Sequence, residues 1–125
     1  MARPAVLLID DNPLWLKLEN RLLFDCDYEM RFAITCAEGL RLAAARRPDC
    51  VVLDYHLRDG SAKRLCSGIR ALPGAGKVPI VILTSDPTVE TEAYEDCRAD
   101  MFLLKTDAVD GLPALIERLL ASRVS

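Results

Sequence analysis

Four short, unbroken apolar runs constrain this chain most: Ala5–Ile9, Val51–Leu53, Pro79–Leu83 and Met101–Leu104. Runs this short, rich in Val, Ile and Leu, suit strands buried on both faces, as in a parallel sheet covered by helices. A fifth segment, Met30–Ile34, alternates Met30, Phe32 and Ile34 with Arg31 and Ala33. That period of two predicts a half-exposed edge strand. Helical stretches lie between the runs. Asn12 and Pro13 open the first as cap and first-turn residue, and Leu14, Trp15, Leu18 and Leu22 follow at helical spacing, with Trp15 read as helix packing. Thr35 and Glu38 have capping-box spacing for a helix to about Arg47, stopped by Pro48. Leu65, Ile69 and Leu72 mark a third helix, Val89 to Arg98 a fourth, and Leu112, Leu115, Ile116 and Leu119 a fifth. Strict alternation of five strands with five helices predicts a doubly wound α/β domain, its alternating second strand at an edge.

Composition narrows the function. A chain of 125 residues, 51% hydrophobic, is one domain able to bury its own core. A net charge of −3 gives no basis for a nucleic-acid surface. No apolar run approaches the ~20 residues of a membrane span, and the N-terminus lacks the pattern of a signal peptide. The five cysteines are scattered, and no pair has metal or redox spacing, which points to reduced thiols and a cytoplasmic protein.

The chemistry lies at the strand ends. The first run ends in Asp10 and Asp11, the third strand in Asp54, the fourth in Thr84 and the fifth in Lys105. In a doubly wound sheet these carboxyl ends converge on one crevice. Clustered carboxylates raise one another's pKa, and a hard divalent cation such as Mg²⁺, with oxygen ligands, relieves the repulsion. Such a cation also bridges to phosphate. Phosphoryl transfer then needs a nucleophile, Asp54, a cation for the phosphoryl oxygens, Lys105, and a hydroxyl, Thr84.

With these residues in place, the chain resembles the receiver domain of two-component response regulators over nearly its whole length. Asp10 and Asp11 resemble the family's acidic metal pair, Asp54 its phosphoacceptor, Thr84 its switch hydroxyl, Lys105 its lysine and Phe102 its switch aromatic. The run from Asp54 through Leu57 to Asp59 and Gly60 matches as well. The resemblance implies a flavodoxin-like five-stranded parallel sheet of order 2-1-3-4-5. It also implies Mg²⁺ held by Asp10, Asp11, Asp54 and the backbone carbonyl of His56, the only histidine, whose ring suits the solvent-facing rim alongside Tyr55 and Ser85. Expected partners are a sensor histidine kinase or phosphotransfer protein and a downstream protein docking on the last helices and strand, with no enzyme activity beyond self-phosphorylation and slow self-dephosphorylation. Residues 1–125 read as a receiver domain without an output domain.

Three departures from the family pattern stand out. Thr106 follows the lysine in place of proline, Arg98 precedes Ala99 in place of glycine, and the interval from Thr84 to Lys105 is slightly short. A cis bond before a non-proline residue costs about 2.5–4 kcal/mol instead of roughly 0.5–1. A trans Lys105–Thr106 bond is therefore expected, with Lys105 aimed less firmly at Asp54. Two other classes compete: a receiver fold that binds partners without phosphorylation, and an aspartate-nucleophile phosphatase, which wants a second acid where His56 stands.

Overall fold

The computed structural model describes residues 3–124. One parallel sheet contains β1 (Ala5–Ile9), β2 (Glu29–Ala33), β3 (Cys50–Leu53), β4 (Ile80–Thr84) and β5 (Met101–Leu104), in the order β2-β1-β3-β4-β5. The crossovers carry α1 (Pro13–Leu23), α2 (Cys36–Ala45), α3 (Ala62–Arg70), α4 (Glu90–Glu95) and α5 (Ala108–Val124). The alternation and the edge position of β2 are as the sequence predicts.

Side-chain alternation along the buried strands divides the core into two layers. Leu7, Ile9, Val51, Leu53, Ile80 and Ile82 pack with Ala43, Leu65, Ile69 and Ala93 of α2, α3 and α4. Val6, Leu8, Val52, Val81 and Leu83 pack with Leu16 and Leu23 of α1 and Leu112, Leu115 and Ile116 of α5. At Gly39, α2 comes so close to the sheet that an added Cβ would stand 2.6 Å from Ile9 Cδ1.

Helix starts follow their capping residues. The Asn12 side chain accepts from the Leu14 N–H at 3.0 Å, with Pro13 in the first turn of α1. The first three N–H groups of α2 all find side-chain acceptors, since Glu38 donates to Thr35 Oγ1 at 3.0 Å while Cys36 and Ala37 donate to Asp59 at 2.7 and 3.2 Å. Those backbone bonds hold the Asp59 carboxyl below the usual carboxylate range. Asp59 reaches α2 from a two-residue hairpin, His56–Leu57 with Gly60–Ser61, where the sequence suggested only a turn.

Several expectations shift in detail. Glu38 accepts from the Ile34 N–H, one residue before the position a capping box requires. In α1 the exposed Leu14 leaves the core to Leu16 and Leu23. At β2 the small Ala33 is buried in the layer with α2, while on the other face Met30 is half-buried against the layer with α1 and α5 and Phe32 and Ile34 are exposed, so the alternation is real but its bulky face is only partly covered. Helix α2 ends at Ala45, with Arg46 already extended two residues before Pro48. The fourth helix is shorter than expected. Pro87–Val89 is a 3-10 turn capped by Asp86, and α4 stops near Glu95 because Arg98 turns left-handed at φ 57° and returns the Ala99 N–H to the Ala93 carbonyl at 3.0 Å.

Glu19 is the anomaly of α1. It is 2% exposed among leucines, and its Oε2 has no hydrogen-bond partner. Burial, reinforced by the Asp10 carboxylate, pushes its carboxyl up to about 8. A carboxyl whose folded pKa is raised keeps its full stability below the unfolded value and loses it as pH rises through the folded one. Against Glu19→Gln, wild-type stability should therefore fall between pH 4.5 and about 8, at up to about 1.4 kcal/mol per pH unit, as read from urea midpoints across that window. Parallel midpoint curves would contradict this. A second outcome concerns Arg98. Removing the Cβ from its left-handed position should stabilise Arg98→Gly by about 0.5–1 kcal/mol, net of the added freedom of the unfolded chain. A lower urea midpoint than wild type would contradict that gain.

Candidate functional site

The register of β1 and β3 builds the site. Asp10 donates its N–H to the Ala33 carbonyl and Asp54 donates to the Ile9 carbonyl, both at 3.0 Å, so the two carboxylates leave adjacent strands at one level. Both are nearly enclosed, at 2% and 8% exposure. Lys105, just past β5, reaches between them. Its Nζ lies 2.6 Å from Asp10 Oδ2 and 3.0 Å from Asp54 Oδ2. The remaining oxygens are also engaged, as Asp10 Oδ1 accepts from the Asn12 N–H at 2.9 Å and Asp54 Oδ1 from the His56 N–H at 3.3 Å.

Charge and burial oppose each other here. Burial raises the Asp10 carboxyl above its ordinary range, although the Lys105 and Asn12 bonds pull the other way. Burial alone would lower the Lys105 ammonium, yet its bonds to Asp10 and Asp54 outweigh that and leave it raised. The site therefore holds a committed cation. Trp15 supplies the apolar wall, its ring centroid 5.0 Å from Lys105 Nζ.

The other expected residues are spread around this centre. Asp11 turns outward, its Oδ2 3.4 Å from the Nε of Arg58, which is 88% exposed. Thr84 is buried at the end of β4, and its Oγ1 accepts from the Asp86 N–H at 3.3 Å. The His56 ring lies on the exposed rim but is paired, with Nε2 2.7 Å from Asp86 Oδ2 and Tyr55 against it edge-on. The Thr88 bonds, then His56, hold the Asp86 carboxyl down at about 2. Phe102 is half-buried and packs on the layer formed with α2, α3 and α4. Its N–H, on the outer side of β5, donates to the Tyr94 hydroxyl at 3.0 Å.

The Lys105–Thr106 bond is trans, as no cis peptide occurs among the described residues. The expected loosening of Lys105 does not occur. The turn Lys105–Asp107 is 3-10 and feeds straight into α5, which keeps the ammonium on both carboxylates without a proline. Sequence reasoning missed Glu19, the Trp15 wall, the Arg58 and Asp86 partners and Tyr94. Glu19 alone was readable, because it falls on the same helical face as Trp15 and Leu22.

As arranged, no three acidic, imidazole or thiol groups among the described residues stand close enough to hold an ion together. Lys105 balances two carboxylates and Arg58 sits by the third. The donor set nevertheless suits a hard divalent cation. It offers only oxygens, on neighbouring loops, and Asp11 is tied merely to an exposed arginine.

Comparison with known proteins agrees with this geometry. Residues 6–117 match the family profile described as the response regulator receiver domain. The transcriptional regulatory protein PrrA of Mycobacterium bovis is 31% identical over 123 residues, which cover 98% of this chain and 52% of that protein. The chain thus spans about half the length of such relatives. Among solved structures, the signal receiver domain of an HD domain-containing protein from Pseudomonas fluorescens superposes with a TM-score of 0.87 at 24% identity, covering 98% of this chain and 90% of that one. The receiver domain of a sensor histidine kinase from Pseudomonas aeruginosa, described with a magnesium ion in its active-site cleft, gives 0.83 at 23% identity, covering 96% and 99%.

The buried ammonium makes a stability prediction. Lys105→Met in metal-free buffer at pH 7 leaves Asp10 and Asp54 unbalanced and should lose about 3 kcal/mol in urea unfolding. The loss should shrink towards pH 4, because the Asp10 carboxyl, already raised, takes up a proton there and relieves the charge. An equal loss at both pH values would contradict this account.

Proposed function

The chain belongs to the response regulator receiver family, and from that premise we propose that Asp54 accepts a phosphoryl group in a Mg²⁺-dependent reaction and so switches a signalling surface. The observation that carries the reading is the position of the Asp54 carboxylate. It is nearly enclosed at the end of β3, with a fixed ammonium 3.0 Å from one oxygen.

In this reading an Asp54 oxygen attacks the phosphorus of a phosphohistidine on a sensor kinase or phosphotransfer protein. The P–N bond breaks as the new P–O bond forms, and the imidazole leaves with its electron pair and takes a proton. Lys105, already between Asp10 and Asp54, turns its ammonium to the phosphoryl oxygens, so the compensating charge is in the site before the phosphoryl group arrives. Thr84 gives up the Asp86 N–H and donates its hydroxyl to another phosphoryl oxygen. Asp10, Asp11, Asp54 and the carbonyl of His56 would hold Mg²⁺. When bound, it neutralises negative charge on the phosphoryl oxygens and orients them. Phe102 lies on β5, the strand that leads directly into Lys105, and is tied through Tyr94 to α4, which supports a readout on α4, β5 and α5 by a downstream protein. No helix among the described residues is long and apolar enough to cross a membrane.

Acetyl phosphate with Mg²⁺ should shift the wild-type chain on a phosphate-affinity gel, and EDTA should abolish the shift. Asp54→Asn should abolish it as well, and Asp11→Asn should slow it and demand more Mg²⁺. Labelling of Asp54→Asn would identify a different acceptor. No labelling of wild type would favour a receiver fold that only binds partners, and rapid turnover of phosphoesters a phosphatase.

A further inference from the structure

Away from the acidic site, two cysteines distant in sequence meet beneath a surface cavity. Cys66 lies on α3 and Cys97 on the turn after α4, and both are buried in the same core layer. Each thiol is the leading influence on the other's pKa. They line a cavity of about 240 Å³ together with Ser67, Arg70, Ala71 and Arg98.

The surroundings hold the pair together. The Arg70 guanidinium donates to the carbonyls of Cys97 and Arg98, to the Val78 carbonyl and to Asp100, strapping the left-handed turn against α3. The Cys97 thiol is lowered first by its pairing with Cys66 and least by Lys63, against burial and the Asp96 carboxylate, while Cys66 is raised by that same pairing. The two thiols are thus tied to each other electrostatically, and Cys97, the one that is lowered, suits the attacking role while Cys66 suits the resolving one.

We propose that Cys66 and Cys97 form an oxidisable dithiol that a hydroperoxide entering this cavity converts to a disulfide, stapling α3 to the end of α4. The Cys97 thiolate attacks the peroxide oxygen and becomes a sulfenic acid as the O–O bond breaks, releasing an alcohol or water. The Cys66 sulfur then attacks the sulfenic sulfur, its proton leaves with the departing hydroxyl as water, and the S–S bond forms. Two thiols are oxidised and one peroxide is reduced. The bond would restrain α4, whose Tyr94 is hydrogen-bonded to β5, so it would act on the same face as the proposed output without touching the acidic pocket.

The test treats the folded 125-residue chain with hydrogen peroxide, then denatures it, alkylates what remains and maps peptides without reduction. Alkylatable thiols should fall from five to three, a Cys66–Cys97 cross-linked peptide should appear in the monomer band, and dithiothreitol should reverse both while lowering the raised Tm. Cys66→Ser should leave Cys97 as a sulfenic acid that dimedone traps, and Cys97→Ser should keep all four remaining thiols alkylatable. Recovery of both cysteines as alkylated thiols would overturn the proposal. So would Cys97 as sulfinic acid without a cross-link, or a cross-link to another cysteine or another chain. The mapping is done on wild type, so it decides the question even where a variant does not fold.

Discussion

The carboxyl edge of the sheet depends on one buried ammonium. Asp10 and Asp54 are fixed by the ladder that joins β1 to its neighbours, so they cannot move apart to relieve their repulsion. Lys105 resolves this by standing within hydrogen-bond reach of both. That requirement fixes where β5 must end, how the chain turns into α5, and why Trp15 rather than a polar residue faces the gap. A burial cost that would neutralise an isolated carboxylate or ammonium is offset by the geometry of the trio.

The fold was largely legible because its signals are local and repeated. Unbroken apolar runs such as Val51–Leu53 and caps such as Asn12 and Thr35 act within a few residues, and their pattern survives without knowledge of the rest. Strand ends were legible for the same reason, since each polar residue directly follows its run. What stayed hidden depends on approach between distant segments. Asp59 meeting the start of α2, His56 meeting Asp86, Arg58 meeting Asp11 and Cys66 meeting Cys97 are set by crossovers, and no spacing in the sequence encodes them. The exposure of Phe32 stayed hidden for a related reason. Period two reveals that a strand has two faces but not which face a helix will cover.

The two departures at the fifth strand prove to be of different kinds. Thr106 changes little, because the 3-10 turn delivers Lys105 by a trans path. Arg98 occupies a left-handed conformation where glycine would be unstrained, yet its carbonyl, with that of Cys97, anchors the Arg70 strap. The strain is local, and two bonds from one guanidinium, which also reaches Val78 and Asp100, hold the turn that contains it.

The phenol of Tyr94 has a bearing on how this molecule meets others. Strand β5 is an edge, and edges invite a foreign strand to join by main-chain hydrogen bonding. By accepting from the Phe102 N–H, Tyr94 closes one rung of that ladder from within the chain. A visitor seeking to extend the sheet must first displace an aromatic ring, whereas one laying a helix across α4 and β5 finds the ring already presented as a platform. Edge-to-edge polymerisation is thereby discouraged at the same place where side-chain recognition is favoured.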